Sequence, residues 1–209
     1  MGAQILAAQK SVISRVLKLL IFVSVFCGIW QLGAAGKIYA KAWLAQQLLE
    51  SAWQATLNGE QNVRPWPWAD TWPIAVLAVP RLGIRQIVLN GDSGRVLAFA
   101  PGYTEASTVP GGQGITVISG HRDTSFSFLK DIQHGDIIEL KTLAGTFNYT
   151  VSERAVVDQR QFIVDTQMTE PRLMLVTCYP FDALEPGGDE RFVVVARMTE
   201  GELQRENEE

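Results

Sequence analysis

Cysteine and histidine are nearly missing from this chain. There are two of each, Cys27 and Cys178, His121 and His134, in 209 residues. So few thiols exclude a disulfide-stapled scaffold, and no CxxC or Cys/His cluster offers a zinc site, so no metal or other cofactor is expected. A basic excess is missing too: Lys and Arg total 18 against 22 Asp and Glu, a formal net charge of −4 with no basic stripe. That balance gives no ground for a nucleic-acid partner. No internal repeat of solenoid or propeller period is present. The scarcity of histidine is informative, because any Cys–His chemistry has only two candidate bases.

A long apolar run is what the N-terminal part does have. Residues 1–15 carry Lys10 and Arg15, and from Val16 to Ala35 the chain is almost wholly apolar, broken by Lys18 and Gln31. About 20 such residues cross a hydrocarbon core as a helix. Lys10, Arg15 and Lys18 precede the apolar centre, which puts the N-terminus in the cytoplasm by the positive-inside rule, with Trp30 and Tyr39 suited to the far interface. The alternative is a cleaved signal peptide. The length of the run, and the lack of a small-x-small site before a polar mature start, favour a retained anchor. The expected organisation is a cytoplasmic segment 1–15, a transmembrane anchor 16–36, a juxtamembrane amphipathic helix and Pro/Trp linker 37–73, a folded domain 74–198 and an acidic, frayed tail 199–209. Asn58-Gly59 ends the helix, and Pro65, Pro67 and Pro73 cannot continue one through the linker. The tryptophans between them, Trp66, Trp68 and Trp72, are expected to pack the linker on the domain.

Beyond residue 74 strand signals dominate. The β-like runs are 74–79, 85–90, 115–119, 136–141, 146–152, 154–158, 173–178 and 191–196, with a short helix expected after Asp92 or Ser93 and a helical turn over 126–132. About eight short strands indicate an all-β barrel or sandwich. Two of these runs organise the rest. Leu173–Cys178 ends in a thiol, Arg191–Ala196 opens with a guanidinium, and a Pro/Gly/acid loop joins them. As antiparallel neighbours they place Cys178 and Arg191 side by side at one rim. His121 ends a third strand, before Arg122 and Asp123.

A cysteine thiolate is a competent nucleophile, more so beside positive charge. An imidazole can protonate a leaving amine and deprotonate an incoming one. A guanidinium suits the oxygen of a tetrahedral intermediate. Together they describe acyl transfer through a thioester. Each also has a plainer reading: a buried strand-end cysteine, a turn histidine, an edge arginine.

Met174-Leu175-Val176-Thr177-Cys178 resembles the sortase signature Thr-Leu-x-Thr-Cys, with Met174 in place of its first threonine. Ser119-Gly120-His121-Arg122-Asp123-Thr124 resembles the histidine motif of that family, and Arg191–Ala196 the strand bearing its arginine. The variety most similar is the class GN sortase of Gram-negative proteobacteria. The resemblance spans roughly residues 74–198 and implies an eight-stranded β-barrel preceded by an anchor in the inner membrane, with the catalytic domain periplasmic. It implies a cysteine transpeptidase that cleaves an LPxTG-like sorting signal on a secreted, membrane-tethered protein and passes the acyl group to an amine of the envelope or of another protein. Cys178 would be the nucleophile, His121 the acid/base and Arg191 the oxyanion stabiliser. Thr177 and Tyr179 would contact substrate, and the loop from Tyr179 to Glu190 would shape the pocket. His134 would be dispensable, and Arg122 and Asp123 would make surface salt bridges. A purely hydrolytic cysteine peptidase would use the same three residues. An L,D-transpeptidase lacks support because no His-Gly-x-x-Cys precedes Cys178, and an inactive membrane-anchored scaffold stays open.

Overall fold

Period-two alternation of apolar side chains over most of the C-terminal two-thirds gives each strand one inward face, and a set of such strands buries that face by closing on itself. The computed structural model describes residues 2–161, 168–183 and 188–199. It divides into two units, Met1–Leu44 and Ala45–Glu209. Helix α1 is Gly2–Leu57. In the first unit the described apolar side chains are uncovered: Phe22 is 69% and Trp30 72% exposed. The stretch Leu17–Leu57 contains a window of mean hydropathy 1.9, long and apolar enough to cross a membrane, with none of that window buried. A helix that leaves such a surface bare is compatible with a lipid anchor.

The second unit begins with the end of α1, where Leu49, Ala52, Trp53 and Thr56 recur at helical spacing and are all buried. The barrel follows. Its strands are β1 (Pro73–Val79), β2 (Ile84–Asn90), β3 (Gly102–Tyr103), β4 (Ile115–Ser119), β5 (Ile137–Lys141), β6 (Thr146–Asp158), β7 (Arg172–Cys178) and β8 (Glu190–Met198). They close in the order β1-β2-β3-β4-β7-β8-β6-β5. Leu49 and Trp53 pack with Val76, Ile87 and Leu89 on the outside of β1 and β2. The Arg85 fork fastens Glu50 there with hydrogen bonds of 2.9 and 3.1 Å. Trp66 joins the same cluster and lies 4.7 Å from the Phe99 ring. Trp68, also expected to pack, is instead 82% exposed.

An eight-strand reading matches the barrel in number but not in every member. The segments 146–152 and 154–158 are one strand, β6, whose alternation is broken by a register shift between Val151 and Glu153 against β8. The eighth strand is β3, two residues that pair with Leu89, Asn90, Ile118 and Ser119. A helix does form at Gly94–Leu97 (α2), capped by the Ser93 hydroxyl, and a 3-10 turn at Ser127–Asp131. The acidic tail from residue 200, and residues 184–187 of the loop before β8, lie outside the described residues.

Candidate active site

One pairing in the barrel decides where the chemistry-bearing residues go. β4 and β7 are parallel, from Ile115 opposite Arg172 to Ser119 opposite Val176, so both strands end at the same rim. β8 runs antiparallel to β7 and pairs Arg191 with Cys178, so it starts at that rim. Facing also follows from alternation. Leu173 and Leu175 on β7, Ile118 on β4, and Val194 and Ala196 on β8 point into the main core. Met174 and Val176, Ile115 and Val117, and Val193 and Val195 form a separate apolar cluster on the outer face. Counting by twos along β7 and β8 puts Cys178 and Arg191 on that outer face, and the same count carried two residues past the end of β4, where a side chain at Gly120 would point at the core ring of Phe126, puts His121 there too. Neighbouring strands lie about 4.8 Å apart. Met174, the departure from the signature, is part of the outer apolar cluster and 5% exposed.

The rim is tied by two pairs of hydrogen bonds that straddle the His121/Cys178 position. Before it, the Thr177 hydroxyl donates to the Gly120 carbonyl at 2.7 Å, and the Gly120 amide donates to the Val176 carbonyl at 3.1 Å. After it, Arg122 Nη1 donates to the Pro180 carbonyl at 2.6 Å and Nη2 to the Ala183 carbonyl at 2.9 Å. The same guanidinium holds Asp123 at both carboxylate oxygens, 2.7 and 3.0 Å away. Asp123 is held below the ordinary carboxylate range, first by the Arg122 hydrogen bonds and further by the charges of Arg122 and His121. The surface salt bridge expected at Arg122 and Asp123 is therefore half right. Asp123 is exposed, but the Arg122 side chain is 7% exposed and runs beneath the loop. Burial of so costly a group is offset by its full set of partners.

His121 is exposed, and Cys178 is half-buried. Arg191 directs Nη1 to the Gly188 and Glu190 carbonyls, at 2.6 and 2.8 Å, and Nη2 to the Gln159 side chain. Gln159 in turn donates its amide to the Asp189 carbonyl at 2.9 Å, so the end of β6 braces the arginine. Next to that brace, hydrogen bonds from Arg160 lower the Asp158 carboxyl to about 2. No side-chain hydrogen bond joins His121, Cys178 and Arg191 to one another among the described residues.

Thr177 and Tyr179 face the other way. Thr177 is 2% exposed, with its hydroxyl proton committed to Gly120. The Tyr179 ring stacks on Phe192 at 6.3 Å and meets Phe181 edge-on at 6.1 Å, and Phe181 and Phe192 also pack on the main core. These rings cap the barrel mouth beside the site. His134 is exposed in the turn before β5. That turn bonds to Val151, which pairs with Ala196 near the far end of β8. β5 runs antiparallel to β6, so this turn opens at the site's end of the barrel, but Ala196 lies about 17 Å along β8 from Arg191, and His134 is displaced along the sheet from the site by about that much. Gln159 and the buried role of Arg122 were not foreseen; the turn propensity of Gly120 and Pro180 on either side was the available signal. Among the described residues no group of His, Cys, Asp and Glu is gathered to hold a metal ion.

This arrangement can be set beside known proteins. Sortase D of Bacillus subtilis (strain 168) is 31% identical over 107 residues, covering 51% of this chain and 54% of the relative. Sortase A of Listeria monocytogenes (serovar 1/2a) is 30% identical over 110 residues, 50% of this chain and 49% of the relative. The chain thus spans about half the length of the curated relatives it matches. Among solved structures, the pilus-related Sortase C of Group B Streptococcus is similar at TM-score 0.55 and 25% identity, over 61% of this chain and 67% of that one. A Clostridium perfringens Sortase D5 transpeptidase gives TM-score 0.58 over 75% of this chain and 98% of that one, and at 23% identity it speaks for the fold alone. The Sortase domain family matches residues 77–199, a span that holds all three rim residues and most of the barrel, and the chain belongs to the sortase family.

Proposed function

We propose that the protein is a membrane-anchored cysteine transpeptidase that cleaves an LPxTG-like C-terminal sorting signal and transfers the new acyl end to an amine. The observation that carries this is the meeting of Cys178, His121 and Arg191 on one outer face at one rim, at the end of a packed apolar cluster that fixes the strands bearing them. The Cys178 thiolate adds to the scissile carbonyl carbon, and the resulting oxyanion is stabilised by the Arg191 fork. The C–N bond breaks as His121 gives its proton to the leaving amine, which leaves a thioester. An incoming amine then loses a proton to His121 and attacks the thioester, and the C–S bond breaks to restore the thiolate. Arg191 reaches the substrate by exchanging loop carbonyls for the oxyanion, a better acceptor because it is charged.

The substrate arrives by secretion, tethered by its own tail, and the acceptor is an amine of the envelope or of a second protein. An anchor at 16–36, with residues 1–15 cytoplasmic and the domain 74–198 periplasmic, holds enzyme and substrate in one membrane plane and raises their effective concentration. Support for the anchor is the uncovered apolar helix. The narrower subtype, class GN, is supported by motif resemblance, whereas both curated relatives are Gram-positive sortases.

Mass spectrometry of the full chain with an LPxTG-like peptide tests the reading. A peptide acyl adduct on Cys178, discharged by hydroxylamine or a peptide amine, is expected. Cys178→Ala, His121→Ala and Arg191→Ala should each lose ligation while remaining folded. Adduct discharge by water alone, with no capture by amines, would assign the hydrolytic reaction instead.

A further inference from the structure

Cys178 and His121 lie past the last paired residues of β4 and β7, Ser119 and Val176, so something must fix their spacing beyond the last ladder bond. The ladder closes at Gly120 and Val176, and Thr177 adds its hydroxyl bond to Gly120 on the near side. On the far side the backbone of each residue runs into a loop. There Arg122, the residue after His121, binds the carbonyl of Pro180, two residues after Cys178, at 2.6 Å. The shortest route from the imidazole to the thiol that leaves the ladder therefore runs through this one guanidinium.

We propose that Arg122 is a positioning residue for the transpeptidation reaction, holding His121 at a fixed separation from Cys178 by clamping the backbone beyond both. The inference rests on the reading of Cys178 and His121 given above. Four features support it. The Arg122 side chain is 7% exposed, against 69% for its partner Asp123, so it is built into the rim and not laid on it. Its two carbonyl bonds span 58 and 61 residues of sequence, so they join separate parts of the chain and do not merely satisfy a local turn. The bidentate Asp123 pair holds the fork in one orientation, leaving Nη1 and Nη2 aimed at the loop. The charge of Cys178 also favours the Arg122 cation, which places the two groups within electrostatic reach. A lysine at this position keeps the charge but cannot make the fork, because an ammonium is a point donor without planar geometry.

A spacing role has a kinetic signature that a simple loss of stability or of substrate grip lacks. Misplacing an acid/base group by about 1 Å costs on the order of 100-fold in rate without weakening ground-state binding. The experiment uses the full chain purified in detergent, with Arg122→Lys and Arg122→Gln compared with wild type for kcat and KM on an LPxTG-like peptide with a peptide amine, and for Tm. Both variants are expected to lose about 10- to 100-fold in kcat, with KM within about threefold and a cooperative thermal transition retained. Thr177→Val, which opens the other tie, is expected to lose kcat in the same way, and combined with Arg122→Lys to give less than the product of the two losses. Wild-type kcat in a folded Arg122→Lys, or a loss confined to KM, would overturn the assignment. A wild-type protein that forms no Cys178 adduct would instead overturn the underlying reading, so the two failures are distinguishable.

Discussion

Replacing Thr177 by valine isolates one hydrogen bond at the rim with little change of shape. Thr177 is 2% exposed, its hydroxyl lies 2.7 Å from the Gly120 carbonyl, and no other donor reaches that carbonyl among the described residues. Valine matches threonine in volume, so no cavity opens. What is lost is the bond itself, together with the solvation that the buried carbonyl cannot regain, a cost of about 2 kcal/mol. For a chain of this size that corresponds to a fall in Tm of about 4–8 °C. Thr177→Ser is the control. It keeps the hydroxyl and loses one buried methyl group, worth about 1 kcal/mol or about 2–4 °C. Thermal unfolding of wild type, the serine variant and the valine variant in the same detergent should therefore rank them in that order. A valine variant as stable as wild type, or more stable than the serine variant, would refute the assignment of this bond as a tie between β4 and β7.

Three further outcomes follow from other parts of the barrel. Asp136 is 7% exposed, and its carboxyl is held below the ordinary range chiefly by hydrogen bonds from Arg81, helped by the Gln133 amide. A depressed folded-state value means that this stabilisation is complete above the unfolded carboxylate range near about pH 4 and is lost as pH falls through the lower folded value. Asp136→Asn should lower Tm at pH 7 by about 2–6 °C and flatten its decline below about pH 4; an unchanged acid limb would count against the pair. Gly120→Ala would place a methyl carbon 2.7 Å from the fully buried Phe126 ring, immediately before His121. Ligation and Tm should both fall, and a variant with wild-type kcat would show that the ring yields freely. His134→Ala, exposed and displaced along the sheet from Arg191, should leave kcat and KM within about twofold of wild type, because surface changes remote from the site seldom matter; a larger loss would make His134 a participant.

How far the sequence alone could be read depended on the length of each pattern. Five- to seven-residue apolar runs such as 74–79, 115–119 and 173–178 were legible because several alternations repeat before a turn residue stops them. β3 was not, since Gly102-Tyr103 is too short to show any period and pairs only because two neighbouring strands leave a gap for it. β6 read as two strands because the shift between Val151 and Glu153 reverses which side chains face inward. Cys178 beside Arg191 followed from a hairpin-like reading of the last two strands. Placing His121 there needed the parallel β4–β7 pairing, which no local pattern encodes. Arg122 was misjudged for a related reason. Arginine is seldom buried, and the carbonyls that receive it lie about 60 residues further along.

The parallel pairing has a consequence for when the thiol becomes competent. Contacts between β4 and β7 join positions 57 residues apart and can form only after the chain through β5 and β6 has been made. Such non-local closure is among the slow, late events of folding, because the loop entropy is spent before the contact repays it. On the proposed reading, a partly assembled chain holds Cys178 apart from His121, and the two come together only with the finished barrel.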